Sequence, residues 1–171
     1  VSTAVIGKVG EDSFGDFVVQ DLASHGLDTR GIRRSTQGTS RTVILPVVGE
    51  DRRYIHAVGA NGDFTAADID RQQVLAAQVL YVGGYMLLPQ LEAQALADLF
   101  ATARRAGVKT VLDVAGVAQP AREELAQLLP HVDVFLPNHD EACILTGETD
   151  PARQAAALLD LGAGVAGITL G

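Results

Sequence analysis

Tryptophan is absent from this 171-residue chain, and aromatic residues make up only 5% of it. The apolar material is mostly aliphatic, which suits parallel strands covered by helices better than a β-sandwich. Cysteine occurs once, as Cys143, which excludes a disulfide framework and a Cys-based zinc site and points to a reducing, cytoplasmic setting. Its place on an apolar helix face marks it as an inert core thiol. Basic clusters are also missing. Arg52-Arg53 and Arg104-Arg105 are isolated pairs in a chain of net charge −8, so neither nucleic acid nor an anionic membrane is an expected partner. Every long apolar run is broken by Gly, Gln or Pro well short of the roughly 18 residues a spanning helix needs, so no signal peptide or membrane span is read. There is no G-x-S-x-G elbow and no Walker P-loop, which leaves serine hydrolases and P-loop ATPases unsupported.

What is present reads as one domain over residues 1–171, long enough for a sizeable core. Gly7 to Gly15 is turn-rich and feeds a helix with Phe14, Phe17, Val18 and Leu22 on one face. Ile32 to Arg34, Thr42 to Val48 and Tyr54 to Val58 read as an antiparallel strand section, with Gly49-Glu50-Asp51-Arg52 turning the last two into a hairpin. From Asp68 the rhythm becomes alternating helix and strand. A helix over 68–77 precedes the strand Val79–Val82 and the loop Gly83-Gly84-Tyr85. A helix over 90–106, with Leu96, Leu99, Phe100 and Ala103 on one face, leads to the strand Thr110–Val114. A helix over 120–129, the strand Val132–Leu136, a short helix opening on Asn138, a helix capped by Asp150 with Pro151 at its first position, and a strand at Gly167–Leu170 complete the series. Parallel strands joined by helical crossovers follow from this order. The expected fold is α/β: a three-layer α/β/α sandwich with a mostly parallel sheet and a small antiparallel element at about 32–60. The chain opens inside the apolar segment Val1–Ile6 and stops directly after its last strand, so it reads as the middle of a longer protein.

Gly162-Ala163-Gly164-Val165-Ala166-Gly167 matches G-x-G-x-x-G, but dinucleotide binding requires the motif to follow a strand and open a helix. Here the order is reversed, and the segment reads as a turn. His139, Asp140, Glu141 and Cys143 crowd together without a second ligand pair nearby, so no structural zinc site is expected. Asn138 and Glu141 have two compatible explanations. Asn138 caps a helix and Glu141 reaches back to its amide, and the same pair can organise Mg²⁺ beside a phosphate at a helix N-terminus. Asp113 ends a strand as either a site residue or a cap. Gly83-Gly84 permits a ligand to approach the backbone or simply a tight turn. The place of Asn138 and Glu141 between Asp113 and Thr169, all at strand carboxyl ends, favours the functional reading.

Taken in order, these segments resemble the ribokinase-like carbohydrate kinases, the PfkB family. Val9-Gly10-Glu11-Asp12-Ser13-Phe14-Gly15 resembles its V-G-x-D-x-F-G segment, and Gly59-Ala60-Asn61 its G-A-N. Leu112-Asp113 is similar to its F-D-x-N strand, although Val114-Ala115-Gly116 stands where an Asn and an Arg are usual. Pro137-Asn138-His139-Asp140-Glu141-Ala142 with Leu145-Thr146-Gly147 is similar to P-N-x-x-E-A…L-T-G, and Ile168-Thr169-Leu170-Gly171 to V-T-L-G. The resemblance covers the whole chain. It implies ATP-dependent phosphorylation of a hydroxyl of a sugar or similar small molecule, with Mg²⁺. It implies that Asn138 and Glu141 position Mg²⁺ and phosphate, that Thr169 and Gly171 lie on the ATP side, and that Gly83, Gly84, Tyr85 and Asp113 lie near the sugar. Asn61 approaches the sugar or the lid hinge. The family's glycine-rich sugar segment is expected before Val1, and the G-A-G-D segment with the general base after Gly171. No catalytic base is therefore assigned within the chain, and the chain by itself is expected to be inactive. A different reading is a shortened, non-catalytic relative that dimerises or binds a partner through the lid strands, where the family implies a homodimer contact. A nicotinamide-dependent oxidoreductase is the third reading, and it lacks a correctly placed glycine fingerprint.

Overall fold

The computed structural model describes residues 1–49 and 53–170. They form two compact units, Val1–Asp70 with Leu88–Gln90 and Arg71–Leu87 with Leu91–Gly171, and each is described by itself.

In the first unit β1 (Ala4–Gly10) pairs in parallel with β2 (Asp28–Ser35), with helix α1 (Ser13–Ser24) between them in sequence. Two expectations are corrected here. Gly7 to Gly10 is the second half of a strand, in register from Gly7 opposite Ile32 to Gly10 opposite Ser35. The segment around Ile32 belongs to this parallel pair and not to an antiparallel section. Gly10 and Gly15 serve close packing. A Cβ on Gly10 would lie 2.5 Å from the Thr39 amide nitrogen, and one on Gly15 would run into the Gly10 carbonyl. The apolar face of α1 is also only partly covered, because a two-stranded sheet is too narrow to shelter it. Phe14 and Phe17 are 51% and 65% exposed, and the Arg41 guanidinium lies over the Phe14 ring at 4.9 Å.

Asp12 organises the start of α1. It caps the helix by accepting from the Gly15 amide at 2.8 Å, and it also accepts the Thr39 amide at 2.8 Å and the Thr39 hydroxyl. Thr39 leads into an antiparallel hairpin of β3 (Arg41–Leu45) and β4 (Arg53–Ala57), registered from Arg41 opposite Ala57 to Leu45 opposite Arg53. The first strand ends before the expected Val48, since Pro46 brings no amide donor to the ladder. Residues 50–52 of the expected turn lie outside the described residues. The hairpin's two stems meet where the Ala60 amide donates to the Gly38 carbonyl at 2.8 Å. Gly59, at φ +49°, has no room there for a Cβ. Lys8 of β1, whose side chain is 13% exposed, pairs with Asp63 at 3.4 Å and Asp68 at 3.1 Å and so ties β1 to the turns after the hairpin.

The second unit is built on a parallel sheet of β5 (Val79–Val82), β6 (Lys109–Leu112), β7 (Val134–Phe135) and β8 (Val165–Ala166), ordered as in the sequence. Helix α2 (Arg71–Leu75) is shorter than expected and precedes β5. Its expected first residue, Asp68, instead ends a 3-10 turn, Ala66–Asp68, capped by Thr65. Helix α3 (Ala93–Arg105) joins β5 to β6, α4 (Arg122–Leu128) joins β6 to β7, and α5 (His139–Thr146) with α6 (Pro151–Asp160) joins β7 to β8. The anticipated face of α3 is the core: Leu96, Phe100 and Ala103 are fully buried and Leu99 nearly so, alongside Leu112, Leu125, Leu128, Phe135 and Leu158. The last strand lies earlier than expected, at Val165–Ala166, because the Gly164 and Gly167 amides already donate to the Val132 and Phe135 carbonyls. Thr169 then forms a parallel bridge to Asn138. Among the described residues no helix is long and apolar enough to cross a membrane.

The three donors on Asp12, the Thr39 hydroxyl foremost, hold its carboxyl down at about 2 against an ordinary 3.8. Its contribution to stability is therefore present above pH 3.8 and lost as pH falls toward 2. Asp12→Ala is expected to lower the urea midpoint at pH 7, and the gap from the unsubstituted chain is expected to close between pH 4 and pH 2. A gap that does not change with pH contradicts this assignment.

Candidate functional site

The carboxyl ends of the four parallel strands carry most of the residues singled out in the sequence. After β5, Gly83 and Gly84 are glycines for different reasons. A Cβ on Gly83 would sit 2.8 Å from the Tyr81 ring, whereas Gly84 has open space around it but adopts φ +69°, a conformation that disfavours residues with a Cβ. The Tyr81 ring passes over Gly83, and its hydroxyl donates to Asp113 Oδ2 at 2.7 Å. That bond, with burial, pushes the phenol up to about 12. Tyr85 turns inward. It is 2% exposed, its hydroxyl donates to Glu124 Oε1 at 2.6 Å, and burial first and Glu124 second push its phenol upward. Its side chain is therefore a core anchor for the loop.

Asp113 follows β6. Its amide donates to the Val82 carbonyl at 2.8 Å, and its carbonyl accepts from the Tyr85 amide at 3.4 Å. Of the two sequence readings, the cap drops out: α4 starts at Arg122 with Ala121 in the cap position. Asp113 thus presents a carboxylate at the strand end, steadied by Tyr81. Sequence reasoning missed Tyr81 and Glu124. Strand alternation carried a signal for the first, since Tyr81 and Gly83 lie on one face of the chain.

After β7 the chain enters α5 through a reciprocal cap. The Glu141 amide donates to Asn138 Oδ1 at 2.8 Å, and the Asn138 amide donates to Glu141 Oε2 at 3.0 Å. Gly147 closes the helix at φ +77°. The position of this cap is set by the segment that follows β8, at Thr169. The His139 amide donates to the Thr169 carbonyl at 2.9 Å, and the Thr169 amide to the Pro137 carbonyl at 3.1 Å. The structure thus brings Asn138, Glu141 and Thr169 together, with Asp113 close enough to Glu141 to repel it. Burial raises the Glu141 carboxyl above its ordinary 4.5, and Asp113 and Asp140 raise it further, against the Asn138 amide. Gly171 lies outside the described residues. Asn61 lies in the first unit, half-buried in the 3-10 turn Gly59–Asp63.

A destabilised carboxylate beside two others attracts a cation. Its oxygens are hard, acceptor-only donors to a metal, and Mg²⁺ is commonly held by one or two carboxylates together with substrate phosphates. Glu141 fits that pattern, with the charges of Asp113 and Asp140 nearby. These carboxylates do not form a complete protein cage, for no group of three or more ligating side chains able to hold a metal occurs among the described residues. Asp140 and Glu141 both lie in the first turn of α5, so a phosphate arriving there is favoured only with its cation.

Comparison with known proteins gives a consistent result. The model of the pfkB family carbohydrate kinases matches residues 1–171. Mouse ribokinase is 34% identical over 177 residues, an alignment covering 98% of this chain and 52% of that protein. An Arabidopsis thaliana ribokinase complexed with ribose and ATP superposes with a TM-score of 0.77 at 23% identity, covering 98% of this chain and 55% of that one. An E. coli protein described as a ribokinase II, in complex with ATP and Mg²⁺, gives 0.77 at 22%, covering 99% and 56%. The two structural likenesses establish the α/β fold. This chain spans about half the length of the curated relatives it matches.

Removing the Tyr85 hydroxyl leaves the Glu124 carboxylate without that donor. Tyr85→Phe is expected to cost about 1–3 kcal/mol of unfolding free energy, measured by urea denaturation at pH 7. An unchanged midpoint would show that the pair does not anchor the loop.

Proposed function

The chain belongs to the pfkB family of carbohydrate kinases, and from that premise we propose that it supplies the nucleotide side, and part of the sugar side, of a site for ATP-dependent phosphorylation of a hydroxyl on a sugar or sugar-like molecule. The observation that carries this reading is the reciprocal Asn138–Glu141 cap at the end of β7, joined to Thr169 and facing the charge of Asp113. Phosphoryl transfer asks the protein mainly for positioning and charge stabilisation, and a rigid cap at a strand end provides the first.

Glu141 and Asn138 hold Mg²⁺, which neutralises phosphate charge when bound. Thr169 lines the nucleotide side. Gly83 and Gly84 offer backbone to the sugar, with Tyr85 fixing their loop from beneath. Asp113, oriented by Tyr81, adds a carboxylate on the sugar side, and Asn61, in the first unit, is proposed separately as a sugar or lid-hinge residue. None of these residues is poised as the general base. Glu141 is an organiser of metal and phosphate, and the proton acceptor comes from outside residues 1–171. On this reading the isolated chain binds nucleotide weakly and turns over none.

A second reading has its own observation. The hairpin β3–β4 leaves Val43, Ile44, Leu45, Tyr54 and Ile55 between 43% and 62% exposed, the kind of strand surface that pairs with another chain. It supports a homodimer through the hairpin, with or without catalysis. Ile44→Asp, followed by sedimentation, separates the two: dissociation without loss of nucleotide binding assigns the hairpin to assembly.

The test of the first reading is titration of the chain with an ATP analogue, with and without Mg²⁺. Binding is expected to require Mg²⁺ and to weaken by about tenfold or more in Glu141→Gln, roughly the worth of one charged contact. Because the Glu141 carboxyl is raised from 4.5, Mg²⁺ affinity is expected to fall as pH drops through that elevated value, at a pH where an ordinary glutamate is still ionised. No sugar phosphate is expected from ribose or fructose with ATP. Metal-independent binding, or normal turnover by this chain alone, would overturn the proposal.

A further inference from the structure

Helix α6 buries one polar side chain completely. Gln154 has no exposed surface. Its Nε2 donates to the His139 carbonyl at 3.2 Å and to the Glu148 carbonyl at 2.9 Å. His139 is the first residue of α5, and Glu148 follows the glycine that ends it. A single amide group therefore spans both ends of the helix that Asn138 caps and on which Glu141 sits.

The orientation of this amide is fixed by chemistry. Both partners are carbonyls and only accept, so the NH₂ must face them. The other amide atom, Oε1, is left buried without a hydrogen-bond partner among the described residues, and an unmade buried bond is costly. An apolar side chain of similar volume would avoid that cost, so packing alone does not favour glutamine here. What it supplies is a fixed distance between α6 and the two ends of α5. His139 is then gripped on both sides of its backbone. Its amide is held by the Thr169 carbonyl at 2.9 Å and its carbonyl by Gln154. The peptide units at the entry to α5 are thereby placed by Thr169 and α6 together.

We propose that Gln154 is a positioning residue for the nucleotide side of the site, acting through the His139 and Glu148 carbonyls on the placement of Asn138 and Glu141. This rests on reading that pair as the holders of metal and phosphate. Gln154 touches neither ligand, and its influence is geometric. A site entered from a strand of only two residues, β7, benefits from a brace of this kind.

Two variants test it. Gln154→Met keeps the length of the side chain and removes both donors, and Gln154→Ala also opens a cavity. Amide hydrogen exchange and titration with a Mg²⁺–ATP analogue are read on the unsubstituted chain and on both variants. In Gln154→Met the Asn138, His139 and Glu141 amides are expected to exchange about tenfold faster, with a parallel weakening of nucleotide binding. The Leu99 and Phe100 amides of α3 are expected not to change. Gln154→Ala is expected to loosen α5 to a similar degree. A Met variant with unchanged α5 amides, an equal loss of protection in α3, or an effect confined to Ala would each overturn the role. So would unchanged nucleotide binding in a Met variant whose α5 is loosened. An unsubstituted chain that binds no Mg²⁺–nucleotide overturns the reading of the site on which this role depends.

Discussion

Two exchanged hydrogen bonds between Asn138 and Glu141 determine where the candidate nucleotide site lies. The first-turn amides of a helix lack partners inside the helix, and here one is satisfied by the Asn138 side chain. Glu141 answers by bonding the Asn138 amide. The cost falls on Glu141, whose carboxylate sits partly buried and faces Asp113 and Asp140. Capping alone does not call for such an environment, because a solvent-exposed glutamate would close the same box at lower electrostatic cost. A cation relieves the repulsion, and perturbed carboxylates of this kind gather at functional sites for that reason. The cap and the site are one arrangement serving two ends.

The rest of the second unit holds that arrangement still. Thr169 reaches the entry of α5 through two backbone bonds, Gln154 spans the helix from below, and Tyr81 steadies Asp113 across the sheet. The proposed phosphoryl transfer would gain most from pre-set geometry, and every one of these contacts fixes geometry without needing to touch substrate. The first unit follows the same physical logic around Asp12, where three donors converge on one carboxylate and glycines at positions 10, 15 and 59 leave room only for backbone.

Where apolar periodicity and capping signals agreed, the sequence was legible. The strand Val79–Val82 lies where its run of β-formers put it. The buried face of α3 was readable from its 3.6-residue spacing, and Asn138, Gly147, Asp150 and Pro151 mark helix ends as their chemistry dictates. Glycine was the main source of error. Gly7 and Gly10 suggested a turn, but both sit inside a strand; at Gly10 neighbouring backbone passes close by, a long-range constraint that local sequence does not encode, whereas a Cβ on Gly7 would meet nothing. Phe14 and Phe17 fit a helical face, yet whether a face is covered depends on the sheet beneath it. For Tyr85 the residue type was informative and the direction was not. Its partner Glu124 is distant in sequence, and the bond between them is visible only in the fold.

The central claim is that the ends of β6, β7 and β8 form a Mg²⁺-dependent nucleotide site around Asn138 and Glu141. Backbone NMR of the chain during titration with Mg²⁺ and an ATP analogue tests it most directly. The account predicts that the largest shift changes fall on Asn138, Glu141, Asp113 and Thr169, and that they vanish when EDTA replaces Mg²⁺. Changes centred on the opposite ends of the strands, around Arg104, Lys109 and Asp133, or changes indifferent to the metal, would contradict it.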